Sequence, residues 1–370
     1  MTAKFGSLLI EGFRSIRAQK VEFGDLNVLI GANGAGKSNL IRAIQLLSFI
    51  GTEGLGEFVG RSGGASQLLH MGPRKTPILL LEAEFRLASG VATYRARLAH
   101  AAGDTLIFTH EEVGYRPKGK DEQRWTGLGS GHAESKLRLA RQDGDVTAKT
   151  VLWHLHRISR YHFHDTGADS SIRAKTHIDD DRDLRSDAGN LAAWLHSLAQ
   201  TDPARLSRIE GTIRQIAPYF GGFDLTPSRR NPDYISLEWK DSASGHVFQP
   251  GALSDGTLRS MALVSTLLQT DEAMPAVAAI DEPELGLHPF AMGVIASLMK
   301  AASQRTQFVV STQSTRLLDH FSASDVIVAD RADGASTFTR LDDAALSDWL
   351  EDYDLSELWE KNVLGGGPSV

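Results

Sequence analysis

Three short apolar stretches open the chain. Ser7–Phe13 is apolar, Ala18–Phe23 alternates, and Leu26–Ile30 is a continuous apolar run suited to a buried strand. Gly31–Lys37 breaks the run. Asn39–Ile50 then places Leu40, Ile41, Ile44 and Leu47 at helical spacing. Gly51–Gly72 is glycine-rich and reads as a loop. From Ile78 the period becomes two: Leu81, Ala83, Phe85 and Leu87 share one face, with Glu82, Glu84 and Arg86 on the other. Tyr94, Ala96 and Leu98 continue the alternation after a hairpin turn at Ala88–Gly90, and Leu106–Tyr115 offers another strand. This spacing predicts an antiparallel meander.

Lys118–Gly131 is polar and Ser171–Asp187 is dense in charge, and both read as mobile loops. Helices are expected at Asn190–Gln200, Pro203–Tyr219, Leu258–Leu268 and Phe290–Ala302. Strands are expected at Phe223–Pro227, Tyr234–Trp239, Val247–Gln249, Ala276–Ile280, Gln307–Ser311 and Val326–Ala329. Two acidic amphipathic segments, Asp342–Leu350 and Leu355–Asn362, close the chain. No internal repeat or long heptad tract is visible, so no coiled-coil arm is expected.

Composition narrows the class. The 370 residues are 41% hydrophobic and carry a net charge of −7, with no cysteine. That suits a globular protein with one large core or a core plus a lobe, and it excludes thiolate metal sites and cysteine catalysis. No overall basic footprint is present, so any DNA contact would be local. No apolar stretch is long enough to span a bilayer and no leader pattern is visible, which reads as a cytoplasmic protein without membrane association.

Two motifs carry chemistry. Gly31-Ala-Asn-Gly-Ala-Gly-Lys37-Ser38 fits G-x-x-x-x-G-K-[ST] between an expected strand and helix. In that context Asn33, Gly34, Ala35, Gly36, Lys37, Ser38 and Asn39 are candidate phosphate-binding residues. Backbone amides and the helix N-terminus would face the phosphates, Lys37 would reach the β- and γ-phosphates, and Ser38 would ligate Mg²⁺. The second is an apolar strand ending in Asp281-Glu282. Asp281 is a candidate for holding Mg²⁺ and Glu282 for acting on the attacking water, since successive strand residues face opposite ways. ATP and Mg²⁺ are the expected cofactors, and the expected activity is an ATPase. Leu253-Ser254-Asp255-Gly256-Thr257, taken alone, reads as a capped helix start.

Its place shortly before the acidic strand changes that reading. Together these residues resemble the ABC ATPase superfamily, whose signature is LSGGQ. Asp281-Glu-Pro-Glu-Leu-Gly-Leu-His288-Pro289 is similar to the branch that includes RecF, SMC and OLD-type ATPases, as is the opening Phe13-Arg14-Ser15-Ile16. The resemblance implies an α/β P-loop NTPase, an ABC ATPase head with an antiparallel β lobe and a helical insertion. The head would divide as 1–80, lobe and insertion 81–245, second half of the head 246–335, and helical tail 336–370. It also implies that Ser254 and Gly256 act on nucleotide held by a second copy, that Arg14 lies at the nucleotide, and that Gln67 is the metal-contacting glutamine after the P-loop helix. Gln313 stands where the family has a switch histidine. It can hydrogen-bond phosphate but cannot take up a proton.

The function so implied is an ATP-gated homodimer of heads in DNA maintenance or anti-phage defence, working with a separate effector such as a nuclease or toxin. Direct DNA binding is a possible addition. Two other classes compete: an ABC transporter subunit, against which the long stretch between Ser38 and Ser254 argues, and a nucleotide-sensing scaffold with little turnover. His162 and His164 share one face of a strand and could be metal ligands or a polar strand end near the nucleotide. Arg229-Arg230 and Arg173-Ala-Lys175 read as solvated surface or a nucleic-acid contact.

Overall fold

A computed structural model describes residues 4–367. Two six-stranded sheets organise it. The first contains β1 (Lys4–Phe13), β2 (Ile16–Glu22), β4 (Ile78–Leu87), β5 (Gly90–Ala101), β6 (Thr105–Pro117) and β7 (Arg124–Gly129). Its order is β2-β1-β4-β5-β6-β7, antiparallel throughout. The second contains β3 (Leu26–Ile30), β8 (Ile158–Tyr161), β14 (Val277–Asp281), β15 (Gln307–Ser311), β16 (Val326–Ala332) and β17 (Ala335–Arg340). Its order is β17-β16-β3-β15-β14-β8, and only β17 runs antiparallel to its neighbour. Small sheets pair β9 (Thr176–His177) with β11 (Tyr234–Ile235), and β12 (Glu238–Asp241) with both β10 (Phe220–Asp224) and β13 (Val247–Phe248).

The central parallel strands are mostly apolar and do not alternate, because both faces are covered. Val277 and Ala279 of β14 enter one core, and Ala278 and Ile280 enter the other. Leu29 of β3 likewise parts from Val28 and Ile30. The first core lies between this sheet and the antiparallel one, and is filled by α1 (Lys37–Gly51), α2 (Leu55–Arg61), α3 (Leu137–Gln142) and α4 (Val146–His156). The second lies under α5 (Leu191–Thr201), α6 (Pro203–Ile216), α7 (Asp255–Leu267), α8 (Pro289–Ser303) and α9 (Thr315–Leu318). The chain closes with α10 (Ser347–Leu350) and α11 (Leu355–Glu360).

Several expectations are corrected. The stretch Gly51–Gly72 contains α2, despite Gly56 and Gly60 within it. Burial of Leu55, Phe58 and Val59 holds it, and the Glu134 carboxylate accepts from the amides of Leu55 and Gly56 at 2.8 and 2.9 Å. Part of the expected loop Lys118–Gly131 is β7, an edge strand supported on one side only. The strand β1 belongs to the lobe's sheet, and β4 crosses the expected division at residue 80, so head and lobe are continuous.

Candidate nucleotide-binding site

The site stands at the C-terminal ends of β3, β14 and β15, where the parallel strands give way to loops. Past β3 the chain turns at Gly31, with φ +141°; a Cβ there would lie 2.1 Å from the Ala329 carbonyl oxygen, so only glycine fits. Gly36, at φ +114°, packs against Ser336 and leads into α1. No side chain caps α1, and an uncapped helix N-terminus favours an anion.

Asn33, Gly34, Gly36, Lys37, Ser38, Asn39, Glu282 and Gln313 line one cavity of about 270 Å³. Two ends of the chain thus meet here, brought together because β3 pairs with β15 and β15 with β14. Lys37 Nζ donates to the carbonyls of Gly31 at 2.5 Å and Ala32 at 3.2 Å. Burial lowers its pKa, and the carboxylates of Glu282, Asp281 and Glu284 oppose that. Ser38 is exposed, while Ala35 is buried beneath the loop.

The acidic strand end is held from β15. Ser311 donates to the Asp281 carboxylate, whose other oxygen lies 3.7 Å from Arg160. Glu282 has a left-handed backbone, φ +45°, and its amide donates to the Ser311 carbonyl at 2.9 Å. The Gln313 side-chain amide donates to the Glu282 carboxylate. Glu284 is largely buried and accepts from Thr312 Oγ1 at 2.6 Å and the Gln313 amide at 3.0 Å; burial raises its pKa.

Arg14 sits in the β1–β2 turn at φ +49°. Burial, then the charge of Arg42, lowers its pKa. The neighbouring Ser15 Oγ accepts from Asn39 Nδ2 at 2.7 Å, which joins that turn to the start of α1. Gln67 lies elsewhere: it is exposed at the end of a 3₁₀ turn, Ala65–Gln67, and does not line the cavity.

Ser254 and Gly256 also stand apart from the cavity. Ser254 caps α7, its Oγ accepting from the Thr257 amide at 3.2 Å. Gly256 packs so closely on its own chain that a Cβ would lie 2.1 Å from the Gly286 carbonyl oxygen. Asp255 pairs at 2.9 Å with Arg173, which also donates to the carbonyls of Thr166, Pro250 and Leu253. Arg173 is therefore no solvated surface charge.

His164 Nε2 bonds the Asp281 carbonyl at 2.8 Å, which makes that segment a polar strand end at the acidic pair. Among the described residues no group of three or more His, Asp or Glu is arranged to hold a metal. Ser38 and Asp281 nonetheless offer hard oxygens, and Mg²⁺ takes one or two of these together with phosphates and water. Sequence reasoning missed Glu284 and Arg160, and gave Ser311, which opens the switch segment Ser311-Thr-Gln313-Ser314, no role of its own. Glu284 was visible two residues after Glu282; Arg160 carries no local signal, because topology alone brings it to Asp281.

Residues 26–130 and 151–319 match the family described as "AAA domain, putative AbiEii toxin, Type IV TA system". The chain belongs to this family. It has the fold of SMC heads. The Smc head bound to the C-winged helix domain of ScpA superposes with a TM-score of 0.61 at 16% identity, over 91% of this chain and 97% of that one. A second Smc head, with an extended coiled coil and bound to the C-terminal domain of ScpA derived from Pyrococcus furiosus, gives 0.61 and 16% over 95% and 99%. No curated protein sequence matches the chain. No helix among the described residues is long and apolar enough to cross a membrane.

Proposed function

We propose that this AAA-family chain binds ATP with Mg²⁺ and hydrolyses it, and that ATP closes two copies head to head. One observation carries the reading: Lys37, Ser38, Glu282 and Gln313, from opposite ends of the sequence, share one cavity. Lys37 and the α1 amides would take the phosphates, with Arg14 and Asn39 at their edge. Ser38 and Asp281 would hold Mg²⁺, which when bound offsets phosphate charge and orients it for in-line attack. Glu282 would accept the proton of the attacking water, and Gln313 would aim its carboxylate.

Ser254 and Gly256 would meet the nucleotide of the second copy, excluding bulk water from it. Smc heads of this fold bind a ScpA domain, and the family description names a toxin. The first favours a separate partner protein, and the second a toxin–antitoxin or anti-phage role for the chain itself, beside the reading in DNA maintenance. The contact between Gln313 and Glu282 also favours a second reading, a sensor with slow turnover, because it engages the base.

The test is mixing. Lys37→Ala and Ser254→Arg chains should each lack ATPase activity. In a mixed dimer one of the two composite sites keeps both wild-type halves, so activity should return in part. Mixed dimers without activity rule out the composite site. A wild-type chain that binds ATP with negligible turnover favours the sensor.

A further inference from the structure

The tail reaches the phosphate loop. After α11 the backbone turns back through Leu364, which packs on the second core, and brings Gly366 against the first residues of the P-loop. Gly366 is buried, with φ +71°. A Cβ there would lie 2.7 Å from Val328 Cγ1, 3.1 Å from the Ala329 carbonyl oxygen and 3.3 Å from Gly31 Cα. Both its conformation and its surroundings therefore require glycine.

Its carbonyl has a specific partner. The Ala32 amide donates to Gly366 O at 2.7 Å. β3 has left its ladder with β16 by this point, the last registered pair being Val328 with Ile30. Gly366 thus satisfies a backbone donor just past the sheet. The opposite end of the same residue, the Ala32 carbonyl, accepts from Lys37 Nζ. Tail, Ala32 and Lys37 form one hydrogen-bonded line.

The other end of the tail is fixed beside the switch. α11 packs on α9, which begins two residues after Gln313. The Ser356 amide donates to Asp319 at 2.9 Å, just past α9, and Leu355 and Leu358 are buried.

We propose that Gly366 is a positioning residue for the phosphate loop, and that the tail couples the P-loop to the switch segment after β15. This rests on the nucleotide reading of the Lys37 cavity. Gly366 fixes the plane of the Gly31–Ala32 peptide, whose carbonyl accepts from Lys37 Nζ at 2.5 Å, and thereby the place from which Lys37 reaches out.

The test uses the full chain carrying Gly366→Val, and a second chain ended after Asn362. Hydrogen exchange at the Ala32 amide reads the contact directly and needs no nucleotide. It should be slow in wild type and faster in both variants. ATP affinity, read by titration of a fluorescent ATP analogue, should weaken about tenfold, the scale of one well-placed hydrogen bond lost at the site. KM should rise more than kcat falls, and the thermal midpoint of the shortened chain, which carries no strained side chain at position 366, should stay near wild type. If Gly366→Val does not fold, the shortened chain decides. Unchanged Ala32 exchange, or faster exchange with unaltered ATP affinity, overturns the proposal. A loss of affinity that only follows a fall in thermal midpoint does so too. Lys37→Ala measured alongside separates the two levels: equal ATP binding by it and wild type defeats the nucleotide reading, whatever Ala32 does.

Discussion

The P-loop cavity and the LSDGT turn are built in opposite ways. On the phosphate-loop side of the cavity, groups are left without side-chain partners: Ser38 is exposed, α1 has no side-chain cap, and the buried Lys37 rests on backbone carbonyls. At the turn every group is already engaged within the chain. Ser254 caps α7, Asp255 pairs with Arg173, and Gly256 lies against the Gly286 carbonyl. A side chain changed in the cavity should therefore alter chemistry and spare the fold. A change at the turn should register in stability, whatever it does to activity.

The largest effect is expected from Lys37→Ala. Loss of charge-assisted hydrogen bonds should weaken ATP binding by about 100-fold or more. The thermal midpoint should stay near wild type, because the ammonium's hydrogen bonds are to two backbone carbonyls beside an open cavity. Calorimetric titration with ATP and a melting curve check both halves. A variant that melts early with intact affinity breaks the comparison.

Next comes Glu282→Gln, which should keep ATP binding and slow turnover by about 10²–10⁴-fold. Single-turnover kinetics measure it; wild-type rates would assign the base elsewhere, with Glu284 the adjacent carboxyl group. Gly256→Ala should follow. Its Cβ overlaps the Gly286 carbonyl, so stability should drop by about 1–3 kcal/mol in urea unfolding. A stable Gly256→Ala chain would show that the turn can shift freely. Smallest is Ser254→Ala, which removes a cap and should cost about 1 kcal/mol. If it leaves urea stability untouched yet abolishes ATPase activity, the turn works as the cavity does and the contrast dissolves.

The same contrast explains what the sequence disclosed. β3, β14 and β15 were legible because a strand buried on both faces is apolar along most of its length. The meander was legible because β4 and β5 keep one face polar. β8, only four residues long, was not, since Arg160 interrupts it and its partner β14 is distant in the chain. α4 was also unseen: its buried residues Ala148, Val151, Leu152 and Leu155 are spaced helically, but His154 is buried with them. The Ser171–Asp187 segment read as mobile because charge usually marks solvent. Here Arg173 spends its donors on carbonyls and Asp255, and Asp187 accepts from Ser171 at 2.9 Å. In the same way, Lys37 and Glu282 announce themselves by local pattern, whereas Gln313 gains its neighbour only through the β14–β15 pairing.

The left-handed backbone of Glu282 has an evolutionary consequence. A non-glycine residue in this region carries strain of order 1 kcal/mol or more. Glycine would relieve it, and asparagine in part. Selection for stability alone would drive the carboxylate out, so under the proposed function its place here is a trade in which robustness yields to use.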